Sequence, residues 1–81
     1  MTMPQTPEPS RRFSVHAQQD DHPARIVEEA SFEAAAIAYV EDFHPPADAL
    51  GEIQVVVCDL ANGHEHCFRI DLGGGEPRPC A

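Results

Sequence analysis

An Asn62-Gly63 pair stands between two runs, Ile53 to Leu60 and His64 to Leu72, that read as strands. Asn-Gly tolerates the positive φ that both central positions of a two-residue hairpin turn demand, and short runs rich in β-branched and aromatic residues mark strands. The combination predicts a hairpin in which Ala61 faces His64. Counting outward sets Asp59 against His66, Val57 against Phe68, Val55 against Ile70 and Ile53 against Leu72, and this face is apolar on both strands. A three-residue turn with a glycine bulge would set Val57 against Cys67 and mix polar with apolar neighbours, so the two-residue register is preferred. The opposite face then carries Gln54, Val56, Cys58 and Leu60 against Asp71, Arg69, Cys67 and Glu65.

The remaining elements supply what such a hairpin must pack on. Phe13, Val15 and Ala17 alternate with Arg12, Ser14 and His16, which predicts a half-buried strand over Arg11 to Ala17. Gln18 to Pro23 reads as a loop, and Ala24 to Glu29 as a weakly specified second strand. Ser31 is placed to cap a helix, with Glu33 in its first turn, where a negative charge suits the helix dipole. Phe32, Ala35, Ala36, Tyr39, Val40 and Phe43 follow at helical spacing as one apolar stripe, and His44-Pro45-Pro46 stops it. The expected fold is a two-layer α+β domain. One helix packs on a small, mainly antiparallel sheet of three or four strands, in the order strand, optional strand, helix, strand, strand.

Proline distribution limits its size. Five of the eight prolines, Pro4, Pro7, Pro9, Pro77 and Pro79, lie near the ends of the 81-residue chain. Residues 1–10 are expected to be a disordered tail and 73–81, with Gly73-Gly74-Gly75, a flexible one. A single domain over 11–72 remains. A domain of this size buries only about 60% of its unfolded surface, which excludes large multi-lobed enzymes.

Charge narrows the partners. There are 14 acidic residues and 5 arginines, without lysine, and no basic residue lies between Arg25 and Arg69. Phosphate backbones and anionic membranes are attracted by basic side chains, so neither nucleic acid nor membrane is an expected partner. The start of the chain lacks the apolar core of a signal peptide, and the expected location is cytoplasmic. Three cysteines fit reduced thiols better than a secreted disulfide scaffold.

Several residues are candidates for chemistry. In the two-residue register Cys58 and Cys67 form a non-hydrogen-bonded cross-strand pair, close enough for a reversible disulfide; two small hydrophobes filling the sheet is the preferred reading. His64, His66 and Cys67 are metal-ligand types, but 64 and 66 project to one face of the strand and Cys67 to the other, so Asp59 and His66 are read as a cross-strand pair. Cys80 could join only by folding back. The serines lack a nucleophile-elbow context, the glycine run lacks the lysine and serine or threonine of a phosphate loop, and a thiol and base drawn from Cys58, Cys67 and His66 would lack a cleft. No enzyme activity, cofactor or metal is expected.

Val56, Cys58, Leu60 and Cys67 form an apolar patch on the outer face of the hairpin, rimmed by Gln54, Glu65, Arg69 and Asp71. Such a patch suits a protein partner or a weak homodimer. Finally, Phe13-Ser14-Val15, the helix entry Ala30-Ser31-Phe32-Glu33-Ala34-Ala35, Val55-Val56-Val57-Cys58-Asp59 and Cys67-Phe68-Arg69-Ile70 resemble a small family of uncharacterised bacterial proteins, a domain of unknown function, over Arg12 to Leu72. That resemblance implies no activity or site residues. The leading expectation is a non-catalytic interaction or accessory domain; the alternative is a thiol- or metal-dependent regulatory protein using Cys58, Cys67 and His66.

Overall fold

The computed structural model describes residues 10–18, 23–74 and 76–80. Strands β1 (Arg11–Ala17) and β2 (Arg25–Glu29) precede helix α1 (Phe32–Phe43), which is followed by β3 (Glu52–Asp59), β4 (Glu65–Asp71) and β5 (Arg78–Pro79). The fold is α+β, with five antiparallel strands in the order β2-β1-β3-β4-β5. β2 and β3 both run antiparallel to β1, so α1 connects two parallel strands across the one between them. The expected N-terminal tail lies outside the described residues, apart from Ser10.

The helix forms where its sequence signals place it. Ser31 Oγ accepts from the Ala34 N–H at 3.1 Å, satisfying one of the first-turn amides. At the other end His44 adopts φ 47° and donates its N–H to Val40 O at 3.0 Å. A residue before proline is sterically disfavoured in the helical region, so the chain leaves through the left-handed one. Asp48 Oδ1 then accepts from Leu50 N and Glu52 N at 2.9 and 3.0 Å, which turns the chain into β3.

One face of the sheet holds the core. Phe13, Val15 and Ala17 of β1, Ile53, Val55 and Val57 of β3, and Phe68 and Ile70 of β4 are buried together with Ala35, Ala36 and Tyr39 of α1. Each large side chain removed from water in this way contributes roughly 1.5–3 kcal/mol. The two alanines let the helix approach β1 and β3 closely, while Phe32, Val40 and Val27 pack around that centre.

Two features differ from the sequence reading. β3 and β4 pair with Val57 opposite His66, Val55 opposite Phe68 and Ile53 opposite Ile70, a shift of two residues from the expected register. An even shift leaves every side chain on its expected face, which is why the apolar pattern could not tell the two apart. The loop decides. Asp59 N donates to His64 O at 2.8 Å and Gly63 N to Asp59 O at 2.7 Å, so residues 60–63 form a longer turn rather than Asn62-Gly63 alone. Asp59 Oδ1 accepts from Ala61 N and Asn62 Oδ1 from His64 N, both at 2.9 Å. Of residues 60–63 only Gly63 takes positive φ, at 77°, so the two-residue turn that needs it at both positions is not formed.

The second difference is a fifth strand where three or four were expected. Gly73 N and Gly74 N donate to Asp71, and the chain reverses so that Arg78–Pro79, expected in a flexible tail, pairs with β4. Cys80 N donates to Cys67 O at 3.0 Å. Since successive N–H groups along a strand point to opposite edges, Pro79 occupies the position whose missing N–H would face away from β4. A two-residue strand carrying a proline also makes a poor template for edge-to-edge pairing.

Candidate interaction surface

The face of the sheet turned away from the core carries the residues expected to form the apolar patch. Pairing places Val56 between His16 of β1 and Cys67 of β4, and Cys58 between Ser14 and Glu65. Leu60 N donates to Arg12 O, which seats Leu60 beside β1 at the start of the loop. Val56, Cys58 and Cys67 are half-buried by their strand neighbours, whereas Leu60 is 49% exposed. β2 does not shield the patch. It lies beside β1 in the same sheet and extends the surface, with Ile26 opposite Ser14 and 57% exposed. Among the described residues, no element covers this face.

Charged pairs close the patch on two sides. Arg12 Nε lies 3.2 Å from Glu28 Oε1 at one border. At the other, Glu52 lies 3.0 Å from Arg78 and 4.0 Å from Arg69. The arginines are solvent-exposed, though Glu52 is largely buried, and exposed pairs such as Arg12–Glu28 are worth about 0–1 kcal/mol each. They fix the position of polar groups more than they stabilise the fold.

The cysteines are arranged differently from expectation. Cys67 is bonded to Cys80 across β4 and β5, with Cα atoms 5.3 Å apart, and Cys58 is the free thiol. Cys58 and Cys67 are therefore not the cross-strand pair: with the register shifted by two, Cys58 faces Glu65 and Cys67 faces Val56. Cys80 reaches the sheet because the glycine turn folds the C-terminal segment back. The proline and glycine content that marks 73–81 as loop does not reveal this, and the odd cysteine count gives a single weak hint.

His66 belongs to the other face. It pairs with Val57, not with Asp59, and its ring lies 4.1 Å from that of Phe32 and 6.3 Å from that of Phe68. Cys58, Cys67 and His66 thus do not converge, and among the described residues no group of three His, Cys, Asp or Glu side chains is placed to hold a metal ion. Asp59 is instead buried against Arg11, with Oδ2 3.0 Å from Nη1. The Arg11 guanidinium lies 5.1 and 5.5 Å from the ring centroids of Phe13 and Phe32, and Nη2 donates to Ala30 O at 3.5 Å. This cluster ties β1, the helix entry and the β3–β4 loop together, which is a structural task.

Among the described residues, no helix is long and apolar enough to cross a membrane. No curated protein and no solved structure matches the chain significantly. Residues 11–81 match a family model that takes in the five strands, the helix and the C-terminal segment carrying Cys80, and the chain belongs to that family, the family of unknown function DUF5961.

Proposed function

We propose that this chain is a small non-catalytic interaction domain that associates weakly with a second copy of itself through the outer face of its sheet. In this reading the helix forms one layer, the sheet the other, and the far side of the sheet is the binding surface. The observation that supports it most is the exposure of Ile26 of β2 and of Leu60 just after β3 on the face that also carries half-buried Val56 and Cys58 of β3, with Ser14 of β1 between Ile26 and Cys58. Large apolar side chains grouped on one face suit an interface, whereas scattered ones need no explanation.

The border explains the choice of partner. Arg12, Arg69 and Arg78 lie beside Glu28 and Glu52, so this face mixes both signs. α1, by contrast, carries Glu33, Glu41 and Asp42 and no basic residue. Two copies related by a twofold axis present the same patch to each other, and a mixed-charge border can be complementary to itself where a purely acidic one repels. Five strands about 4.8 Å apart and some five residues long cover about 400 Å². That is below the roughly 800 Å² per partner of a stable complex, so the association is weak and reversible.

Sedimentation velocity over a concentration series tests this. The wild-type chain should show self-association at concentrations of order 0.1–1 mM, and Val56→Asp and Leu60→Asp should sediment as monomers with unchanged circular dichroism. A wild-type chain that stays monomeric throughout, or variants that associate equally well, would overturn the proposal.

A further inference from the structure

We infer that the groove between α1 and β4 binds an extended peptide with apolar anchors and flanking lysines or arginines. This surface lies on the helix side and is independent of the self-association proposed above.

The groove follows from dimensions. An α-helix with its side chains is about 10 Å across, while five strands span about 20 Å, so one helix cannot cover this sheet. The buried centre of α1 sits over β1 and β3; on the inner face Phe68 and Ile70 of β4 are also buried, while His66 and Leu72 at the two ends of that row are exposed. Two concavities result. One, of about 400 Å³, is lined by Ser31, Phe32, Glu33, His66, Phe68 and Pro79. The other, of about 250 Å³, is lined by Ile37, Val40, Glu41, Ile70, Asp71, Leu72 and Pro77. Each is floored by β4, walled on one side by α1 and on the other by a proline of the segment that Cys80 anchors.

Spacing and charge indicate the occupant. One concavity is floored by His66 and Phe68 and the other by Ile70 and Leu72, so their midpoints are four residues apart along the chain, or about 13 Å at the rise of a strand. Side chains at i and i+4 of an extended peptide point to one side with the same separation. Glu33 stands at the first concavity and Glu41 at the second, while the Asp71 carboxylate belongs to the glycine turn, where it accepts from Gly73 N. Among the described residues neither glutamate is ion-paired, and neither concavity is lined by lysine or arginine. Apolar anchors with cationic neighbours therefore complement this groove, and an acidic peptide would be repelled.

Fluorescence anisotropy with two labelled synthetic peptides tests the inference. One carries Phe and Leu four positions apart with lysines between them; the other has glutamates in place of the lysines. The lysine peptide should bind at least tenfold more tightly. Leu72→Lys, an exposed position, should weaken it at least tenfold, and combined Glu33→Gln and Glu41→Gln several-fold, while Val56→Asp on the outer face leaves it unchanged. Equal binding of the two peptides, no binding of the lysine peptide, or loss of binding in Val56→Asp instead of Leu72→Lys would overturn the inference. Retained peptide binding in a chain that fails to self-associate would remove the proposed function and leave this one standing.

Discussion

Arg11 and Asp59 are 48 positions apart in the chain, yet the Arg11 guanidinium lies 3.0 Å from a carboxylate that is almost wholly buried. The partners are unequal: the Asp59 side chain is 1% exposed and that of Arg11 41%. Loss of the arginine would strand a charge away from water, whereas loss of the carboxylate would leave a cation that solvent can reach.

That asymmetry gives the first prediction. Removing one partner of a fully buried pair costs about 3–5 kcal/mol, and the solvent access of Arg11 lowers the expectation here to about 2–3 kcal/mol for Arg11→Met. Methionine preserves the apolar stem beside Phe13 and Phe32. Adding Asp59→Asn should recover at least half the loss, since the amide oxygen can still accept from Ala61 N. Urea denaturation of the two single variants and the double variant measures both quantities; a double variant as unstable as Arg11→Met would refute the argument.

The Cys67–Cys80 bond joins residues 13 apart and holds a strand of only two residues. Closing a loop of this length in the unfolded chain is worth about 3 kcal/mol in the chain-entropy account, an upper bound where the strand it holds can detach by itself. Cys80→Ser should therefore lower stability by at most that amount. Hydrogen exchange should quicken at the amides of Arg78 and Ser-substituted position 80, and leave those within the β3–β4 pairing protected. Quantifying thiols in unreduced, denatured protein should give one per chain, that of Cys58; three would mean that the bond does not form.

Much of the fold was legible because local signals and packing agree. Ser31, the stripe from Phe32 to Phe43 and the two prolines bound the helix correctly, and alternation assigned the faces of β1, β3 and β4. Apolar alternation has a period of two, however, and cannot distinguish registers that differ by two residues. The deciding groups were polar: the Asp59 carboxylate, held inward by Arg11 and bonded to Ala61 N, commits the chain to a longer turn before Asn62-Gly63 can form a tight one. Such a long-range ion pair leaves no periodic trace. The return of Cys80 to Cys67 is equally invisible, because a glycine-rich turn has the composition of a loose tail. Counting along the strands puts Val56, Cys58, Leu60 and Cys67 on the outer face, but Ile26 joins that face only through the placement of β2 beside β1.

The register itself supplies the final prediction. Asp59 and His64 occupy a hydrogen-bonded position, since Asp59 N donates to His64 O, so the next pair outward, Cys58 and Glu65, is non-hydrogen-bonded. Cα atoms at such sites approach to about 4.5 Å, within the range a disulfide accepts. Glu65 is exposed, and its replacement should leave the fold intact. In the variant Glu65→Cys, mild oxidation should link position 65 to Cys58 while Cys67 stays bonded to Cys80, as peptide mapping by mass spectrometry would show. In a register shifted by two residues Cys58 would instead face Cys67, and oxidation would draw Cys67 away from Cys80. Recovery of a Cys58–Cys67 peptide from either the variant or the wild-type chain would therefore displace the four-residue loop, and with it the placement of Asp59 against Arg11.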